Sequence, residues 1–545
     1  MKRRDVLRTL AAGVPAALLS SRTSAGSLPG FTRLLDPTAG LHFDPTWESL
    51  RQFATPAWYQ DAKFGIWAHW GAQCQPGAGD WYARGMYEEG SRVYKYHCAH
   101  YGHPSKVGFK DVIHQWKAER WDPDHLVGMY KNAGARFFVA MANHHDNFDN
   151  YNSAHQPWNS VNLGPRKDLI GGWAKAARAH GLRFGVSVHA AHAHLFYEPA
   201  QGSDNEGPLK GVRYDGTLRK EDGKGTWWEG YDPQELYTQD HPRSTGNDTG
   251  KMWEWGNGAA VPGKAYCDKF YNRTIDLIDQ YEPDLVYFDD TALPLWPISD
   301  VGLRIAAHHY NRSIERHGRL EAVLNGKVLN EEQRKCMVWD IERGRSNQIE
   351  PFVWQTDTCI GSWHYDQRRV DENTYKSPAE VIHGLADIVS KNGVLLLNIP
   401  VRGDGTIDSK ESAIVEAVGA WMKVNGEAIY GTRPWNVFGE GPAMEKAKPI
   451  KDQGFNEGGE AFGAQDFRFT TKGDALYAIC LARPDRGTVS VKSLGSECAL
   501  RPQQIRRVEV LGGGTLHFER STDGLTISLP ERDATRPEAL AFKIV

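Results

Sequence analysis

Apolar, strand-like runs recur along this chain and end, one after another, in charged or hydrogen-bonding side chains. Residues 64–68 run into His69, residues 137–141 into Asn143, His144, His145 and Asp146, residues 285–288 into Asp289 and Asp290, and residues 337–341 into Glu342. Helical periods lie between them. Residues 123–133 read as a helix, with Asp122 as its cap, Pro123 at its first position and Gly134 as its stop. Across 265–281, Phe270, Tyr271, Thr274, Leu277, Ile278 and Tyr281 fall on one stripe, and Pro283 breaks the run. Further helices are expected at 173–180, 303–317 and 377–391, and strands at 64–69, 136–141, 183–189, 285–289, 320–325, 336–342 and 394–398. Such alternation implies a parallel sheet, here an α/β fold of the (β/α)8-like (TIM) barrel type. Barrel active sites are built at strand C-termini, so these His, Asp and Glu ends converge on one pocket, as in an enzyme.

Two stretches have a different texture. Residues 200–262 are rich in Gly, Asp and Lys and carry Trp227, Trp228, Trp253 and Trp255; they are either a long βα loop over the pocket mouth or a solvated insertion. From Gly431 the helical period gives way to short alternating runs at 475–482, 488–491, 508–511 and 525–529, which predict a C-terminal antiparallel β-sandwich packed on the barrel. The expected organisation is a leader at 1–25, a barrel at 45–428 with the insertion at 200–262, and a sandwich at 431–545. No period of 20–50 residues repeats, which excludes a solenoid.

Length and charge add bounds. At 545 residues the chain exceeds what one hydrophobic core usually supports, and a net charge of −4 gives no electrostatic case for nucleic acid or an acidic membrane. Aromatic residues make up 11% of the chain, with 19 Trp, which suits either a large aromatic core or stacking on sugar faces. Arg3-Arg4-Asp5-Val6-Leu7-Arg8, the apolar stretch 9–20 and Thr23-Ser24-Ala25 form a twin-arginine leader pattern, so export to the periplasm or beyond is expected, with residues 1–25 removed. Seven scattered Cys without C-x-x-C support neither a zinc ribbon nor a redox motif, and leave disulfides open.

The chemistry is narrower. Glycosidic hydrolysis needs one carboxyl at the anomeric carbon and another to protonate the leaving oxygen. Asp289 suits the first role because the apolar run before it holds it rigidly; a structural ion pair or a helix cap would also explain it. His69, His144 and His145 can bond sugar hydroxyls as neutral imidazoles without the desolvation cost of a full charge. Trp67, Trp81, Tyr287 and Trp363 would supply apolar walls.

Five segments resemble the α-L-fucosidases of glycoside hydrolase family 29. Lys63-Phe64-Gly65-Ile66-Trp67-Ala68-His69-Trp70-Gly71 with Asp80-Trp81-Tyr82 is similar to the family's opening motif. Asn143-His144-His145-Asp146-Asn147-Phe148, Asp284–Asp290, Trp354-Gln355-Thr356 with Ser362-Trp363-His364-Tyr365, and Asn392–Ile399 follow in the family's order. The resemblance implies a retaining exo-glycosidase with Asp289 as nucleophile and His69, His144, His145 and Tyr287 on fucose. Asp80, Trp81 and Trp363 are further pocket members. It implies a fucosylated glycan substrate and neither cofactor nor metal. Two departures stand out: His189 occupies a strand end where many members carry a tyrosine, and either replaces it or only packs, and Asp290 replaces a glycine, with a structural role expected.

For the general acid/base, Glu342 closes a strand and precedes Trp354 at about the family's spacing, whereas Glu350 falls in the loop 346–351, where a solvated surface role is expected. Two other readings compete: a metal-dependent barrel hydrolase using His144, His145, His189, His192 and His194, and a non-catalytic fucose-binding protein. Adjacent His144 and His145 would point apart in an extended strand, which argues against the metal.

Overall fold

The computed structural model describes residues 38, 40–245, 255–256, 258–444, 454–458, 461–484, 487–501, 503–529 and 539–545. The expected leader at 1–25 lies outside them, as does the part of the insertion that holds Trp253 and Glu254. Eight parallel strands close into a barrel: β1 Phe64–Ala68, β2 Phe137–Asn143, β3 Arg183–Val188, β4 Leu285–Thr291, β5 Val323–Lys327, β6 Val338–Glu342, β7 Trp354–Cys359 and β8 Gly393–Asn398. Each pairs with its sequence neighbour, and β1 closes on β8 with Ile66 opposite Leu397.

The helices start where the chemistry of their first residues allows. Asp122 accepts from the His125 N–H ahead of Pro123–Asn132, and Asp168 accepts from Gly171 N–H ahead of Leu169–Ala179, four residues earlier than expected. Ser377 and Glu380 form a reciprocal cap on Pro378–Ser390. Strand β7 was not among the expected strands.

Two apolar layers follow from the period of two along each strand. Trp67, Phe137, Val139, Leu285, Tyr287, Val323, Val338, Val394 and Leu396 fill the barrel interior. Their sequence neighbours, such as Ile66, Phe138, Val286, Leu324 and Leu395, face outward to the helices.

Beyond the helix Ser409–Asn425 the chain turns to antiparallel pairing. Strands β9 Arg433–Glu440, β10 Phe467–Lys472, β11 Ala475–Cys480, β12 Thr488–Val491, β13 Val508–Val510, β14 Gly514–Thr515, β15 Phe518–Ser521, β16 Gly524–Ser528 and β17 Leu540–Ile544 form two sheets. One has the order β14-β13-β17-β11-β10-β9 and the other β12-β16-β15. Phe469 and Phe542 of the first share one apolar core with Val491 and Ile527 of the second, as a sandwich requires. Arg468 Nε donates to Asp387 Oδ1 at 2.6 Å and Trp421 Nε1 to the Ala539 carbonyl at 3.0 Å, fastening this sandwich to the barrel's helices.

The described part of the 200–262 insertion combines exposed stretches, such as residues 205–208, with side chains that pack inward. Trp228 is buried, Trp227 Nε1 donates to Asp111 Oδ1 at 2.7 Å, and Trp158 Nε1 donates to the Asp232 carbonyl at 2.8 Å. Trp227 and Trp228 turn inward onto the barrel's loops, and no described residue of 200–262 lines the cavity at the barrel mouth. All seven Cys are free thiols.

Candidate active site

The inward period carries polar side chains to the strand ends. In β4, Leu285 and Tyr287 face the interior, so Asp289 follows; in β5 Val323 and Asn325 lead to Lys327, and in β6 Val338 and Asp340 lead to Glu342. His69, His189, Asp289, Lys327, Glu342 and Asp357 line one cavity of about 200 Å³, together with Trp67, Asp80, Trp81, His144, Tyr287, Asp290, Thr291, Trp363, His364 and Phe455.

Lys327 stands between the two carboxylates. Its buried Nζ donates to Asp289 Oδ1 at 2.7 Å and to Glu342 Oε2 at 2.6 Å. Burial alone would raise the Asp289 pKa, but Lys327, with His145 and His189 bonded to the carboxylate, outweighs it and holds the group well below the usual carboxylate range. For Glu342 the balance reverses. Burial, with Asp357 and Asp289 nearby, lifts it to about 7 against the pull of Lys327. One carboxyl is thus kept ionised and its neighbour protonated near neutrality, the division of labour expected of an acid and a nucleophile in one site. Beneath them Gln355 Nε2 donates to Asp340 Oδ1 at 2.7 Å and Tyr287 OH to Asp357 Oδ2 at 3.0 Å. Burial and then Asp357 hold Asp340 well above the usual carboxylate range.

Imidazoles form the opposite wall. His145 Nδ1 bonds the His189 carbonyl at 2.6 Å while its Nε2 lies 3.2 Å from Asp289 Oδ2; His189 Nδ1 reaches the same oxygen at 3.2 Å. Gln73 Nε2 donates to His144 Nδ1 at 2.7 Å, which places the His144 proton on Nε2. Burial lowers the pKa of His69 and His144 well below the ordinary value and that of His189 to about 4, so all three are neutral at pH 7. Both ring nitrogens of His69, Nε2 of His189 and Nε1 of Trp67 are buried without a protein partner, although buried polar groups are normally bonded. These are the groups a polyhydroxylated ligand would satisfy.

Other motif residues hold this wall in place. Asn398 Oδ1 accepts from the His69 N–H at 2.9 Å and its Nδ2 donates to the Trp363 carbonyl at 2.8 Å. Asn143 Oδ1 accepts from His189 N–H at 3.1 Å, and Asp80 Oδ1 accepts from His364 N–H at 2.7 Å. Trp81 adopts the left-handed conformation, with φ of 57°, ahead of the helix Tyr82–Gly85. Arg343 lies over the Trp363 ring, 5.1 Å from its centroid.

His69, Asp80, Trp81, His144, His189, Tyr287, Asp289, Glu342 and Trp363 thus share one cavity, and His145 touches it through Asp289. Glu350 does not. It is 6% exposed and outside the cavity, where Ser346 Oγ donates to Oε1 at 2.6 Å and Arg334 lies 3.6 Å from Oε2, so the solvated loop role expected for it is wrong. The argument that His144 and His145 point apart also fails, because both lie beyond the last residue of β2 and their rings sit 4.4 Å apart. His192 Nε2 bonds Asp290 Oδ1 at 3.1 Å and His194 Nε2 bonds the Ala260 carbonyl at 2.9 Å, so a five-histidine metal set does not form. Among the described residues the groups able to hold a metal are His69, His144 and His189, and His145, His189 and Asp289, all of this same wall. Asp290 has the structural tie to His192 and also lines the cavity. Lys327, Asp357 and His364 were missed; the signal for Lys327 was its parity with Val323 and Asn325.

A sequence model of the α-L-fucosidase family matches residues 35–427. The rat tissue α-L-fucosidase is 26% identical over 534 residues, covering 94% of this chain and 92% of its own, and the human tissue enzyme is 27% identical over 90% and 88%. The crystal structure of the Thermotoga maritima α-fucosidase in complex with a mechanism-based inhibitor superposes with a TM-score of 0.67 at 25% identity, covering 92% of this chain and 100% of that one. The family model spans well over half of the sequence, and this chain belongs to the α-L-fucosidase family of glycoside hydrolases.

Proposed function

We propose that the protein hydrolyses terminal α-L-fucosyl linkages of oligosaccharides or glycoconjugates with retention of configuration. In the first step an Asp289 oxygen attacks the anomeric carbon as the bond to the leaving oxygen breaks, and Glu342 gives its proton to that oxygen. In the second, ionised Glu342 takes a proton from water, the water oxygen attacks the same carbon, and Asp289 departs. His145 and His189, bonded to Asp289 Oδ2, keep the nucleophile ionised, and the neutral imidazoles of His69 and His144 bind fucose hydroxyls, with Asp80 alongside. Tyr287, Trp67, Trp81 and Trp363 wall the sugar's apolar face.

One observation carries the retaining assignment: both carboxylates bond the same ammonium. The two bonded oxygens therefore lie at most about 5.3 Å apart, those two bonds laid end to end, which is less than the wider gap that admits a water in inverting enzymes and favours retention. Asp289→Gly tests it. The variant should lose turnover and keep its fold, and azide with an activated aryl fucoside should restore turnover and yield the inverted fucosyl azide. Near-normal activity in the variant, or a first product of inverted configuration from the wild type, refutes the assignment. We also propose periplasmic or extracellular delivery through the twin-arginine route, from the Arg3-Arg4 leader pattern; Arg3→Lys with Arg4→Lys should leave the enzyme in the cytoplasm of its host.

A further inference from the structure

Phe455 lies far beyond the barrel strands in sequence, and yet it lines the cavity. Its N–H donates to the Glu342 carbonyl at 2.8 Å, and Gly454 forms a bridge with Glu342. Asn456 clamps Arg345 from both sides, Oδ1 accepting from its N–H at 2.9 Å and Nδ2 donating to its carbonyl at 3.1 Å. Glu457 N–H donates to the Arg343 carbonyl at 3.0 Å, and the Glu457 carboxylate accepts from Thr358 Oγ1 at 2.8 Å and from the Lys376 ammonium.

This clamp holds a large apolar side chain in solvent rather than in the core. Phe455 is 61% exposed, and its φ of 49° is a conformation that bulky residues rarely adopt. A large aromatic kept outward by a rigid polar scaffold, at the rim of a cavity, is placed for contact with something that arrives from solvent. Glu342 says what arrives. A general acid must reach the glycosidic oxygen, so the leaving group lies on the Glu342 side of the cavity, and Phe455 is bonded to Glu342 through its backbone.

Building on the fucosidase reading, we infer that Phe455 is the platform of the leaving-group subsite: its ring stacks on the apolar C–H face of the pyranose to which the fucosyl residue is joined. The electron-rich face of the ring attracts the polarised C–H bonds of such a sugar, while a leaving group without a ring cannot use it.

The test compares α-L-fucosyl fluoride, whose leaving group is a single atom, with a fucosyl-galactose disaccharide, in the wild type, Phe455→Ala and Phe455→Trp. Phe455→Ala should lower kcat/KM for the disaccharide about tenfold more than for the fluoride, chiefly through KM, with Tm unchanged. Phe455→Trp should keep most of the disaccharide activity. Equal losses on both substrates, or a Trp variant as impaired as the Ala variant, overturn the inference in favour of loop geometry. A wild type that leaves fucosyl fluoride intact instead sinks the fucosidase reading, and this inference with it.

Discussion

Replacing Lys327 by methionine removes the cation between the two carboxylates while keeping the bulk of its side chain. At 2.6 Å and an effective dielectric of about 20, the Lys327–Glu342 attraction has a ceiling of about 6 kcal/mol. The Glu342 side chain is 15% exposed, so water takes over part of this, and roughly 1.5–3 kcal/mol is the net contribution expected of a charge-assisted hydrogen bond. At 1.36 kcal/mol per pKa unit that is about one to two units. The sign follows from the roles. Glu342 works protonated in the first step, so activity is lost as pH rises through its pKa, and the wild-type basic limb falls at about 7. Lys327 lowers that pKa, so its loss moves the limb up, to roughly 8–9. Asp289 works ionised, and losing Lys327 raises its pKa too, so the acidic limb also moves up. The bell as a whole therefore shifts to alkaline pH. At pH 7 the activity should hold or rise, because Glu342 becomes more fully protonated there while His145 and His189 still hold the proton off Asp289. The assay is kcat/KM against pH for an aryl fucoside. A lower profile with both limbs in place would show that Lys327 is structural and refute the reasoning.

Three further outcomes are expected. Glu342→Ala should impair natural fucosyl oligosaccharides far more than an activated aryl fucoside, flatten the basic limb and respond to azide with a retained fucosyl azide, since a general acid matters most for poor leaving groups. Glu350→Ala should lower stability by about 1–3 kcal/mol, because the Ser346 hydroxyl loses its buried acceptor, while kcat/KM of the folded protein stays at the wild-type level; the azide response appearing here instead would exchange the two roles. His144→Ala and His145→Ala should each cost about 2–4 kcal/mol in kcat/KM; lost Tm with unchanged kcat/KM would make them core residues.

Where side chains were apolar the sequence told the strands plainly, and where a buried strand carried polar groups it did not. The β7 residues Trp354–Cys359 are all buried, and the polar ones bond one another's neighbours: Tyr59 OH donates to Gln355 Oε1 at 2.7 Å, and Thr356 Oγ1 to the Gly344 carbonyl at 2.9 Å. Pairing of that kind lets a polar segment sit in a barrel wall, and it leaves no apolar run to see. Strand β5 was cut short for the same reason. Asn325, Gly326 and Lys327 look like a turn, and only the interior parity from Val323 shows that Lys327 faces the cavity. The helix Leu169–Ala179 was started late because Gly171 and Gly172 are poor helix formers, an effect its Asp168 cap overrides. Glu342 could be ranked above Glu350 from its strand-end position, but Phe455 reaches the site through pairing with a distant segment and carries no local signal.

The segment 454–458 docks on the end of β6, so part of the catalytic rim is supplied by the stretch between β9 and β10. The barrel is therefore not an interchangeable module. A chimera that grafts another relative's C-terminal region onto residues 64–398 would import a foreign rim beside Glu342, and substrate preference would travel with the graft although every strand-end group of the barrel stayed the same.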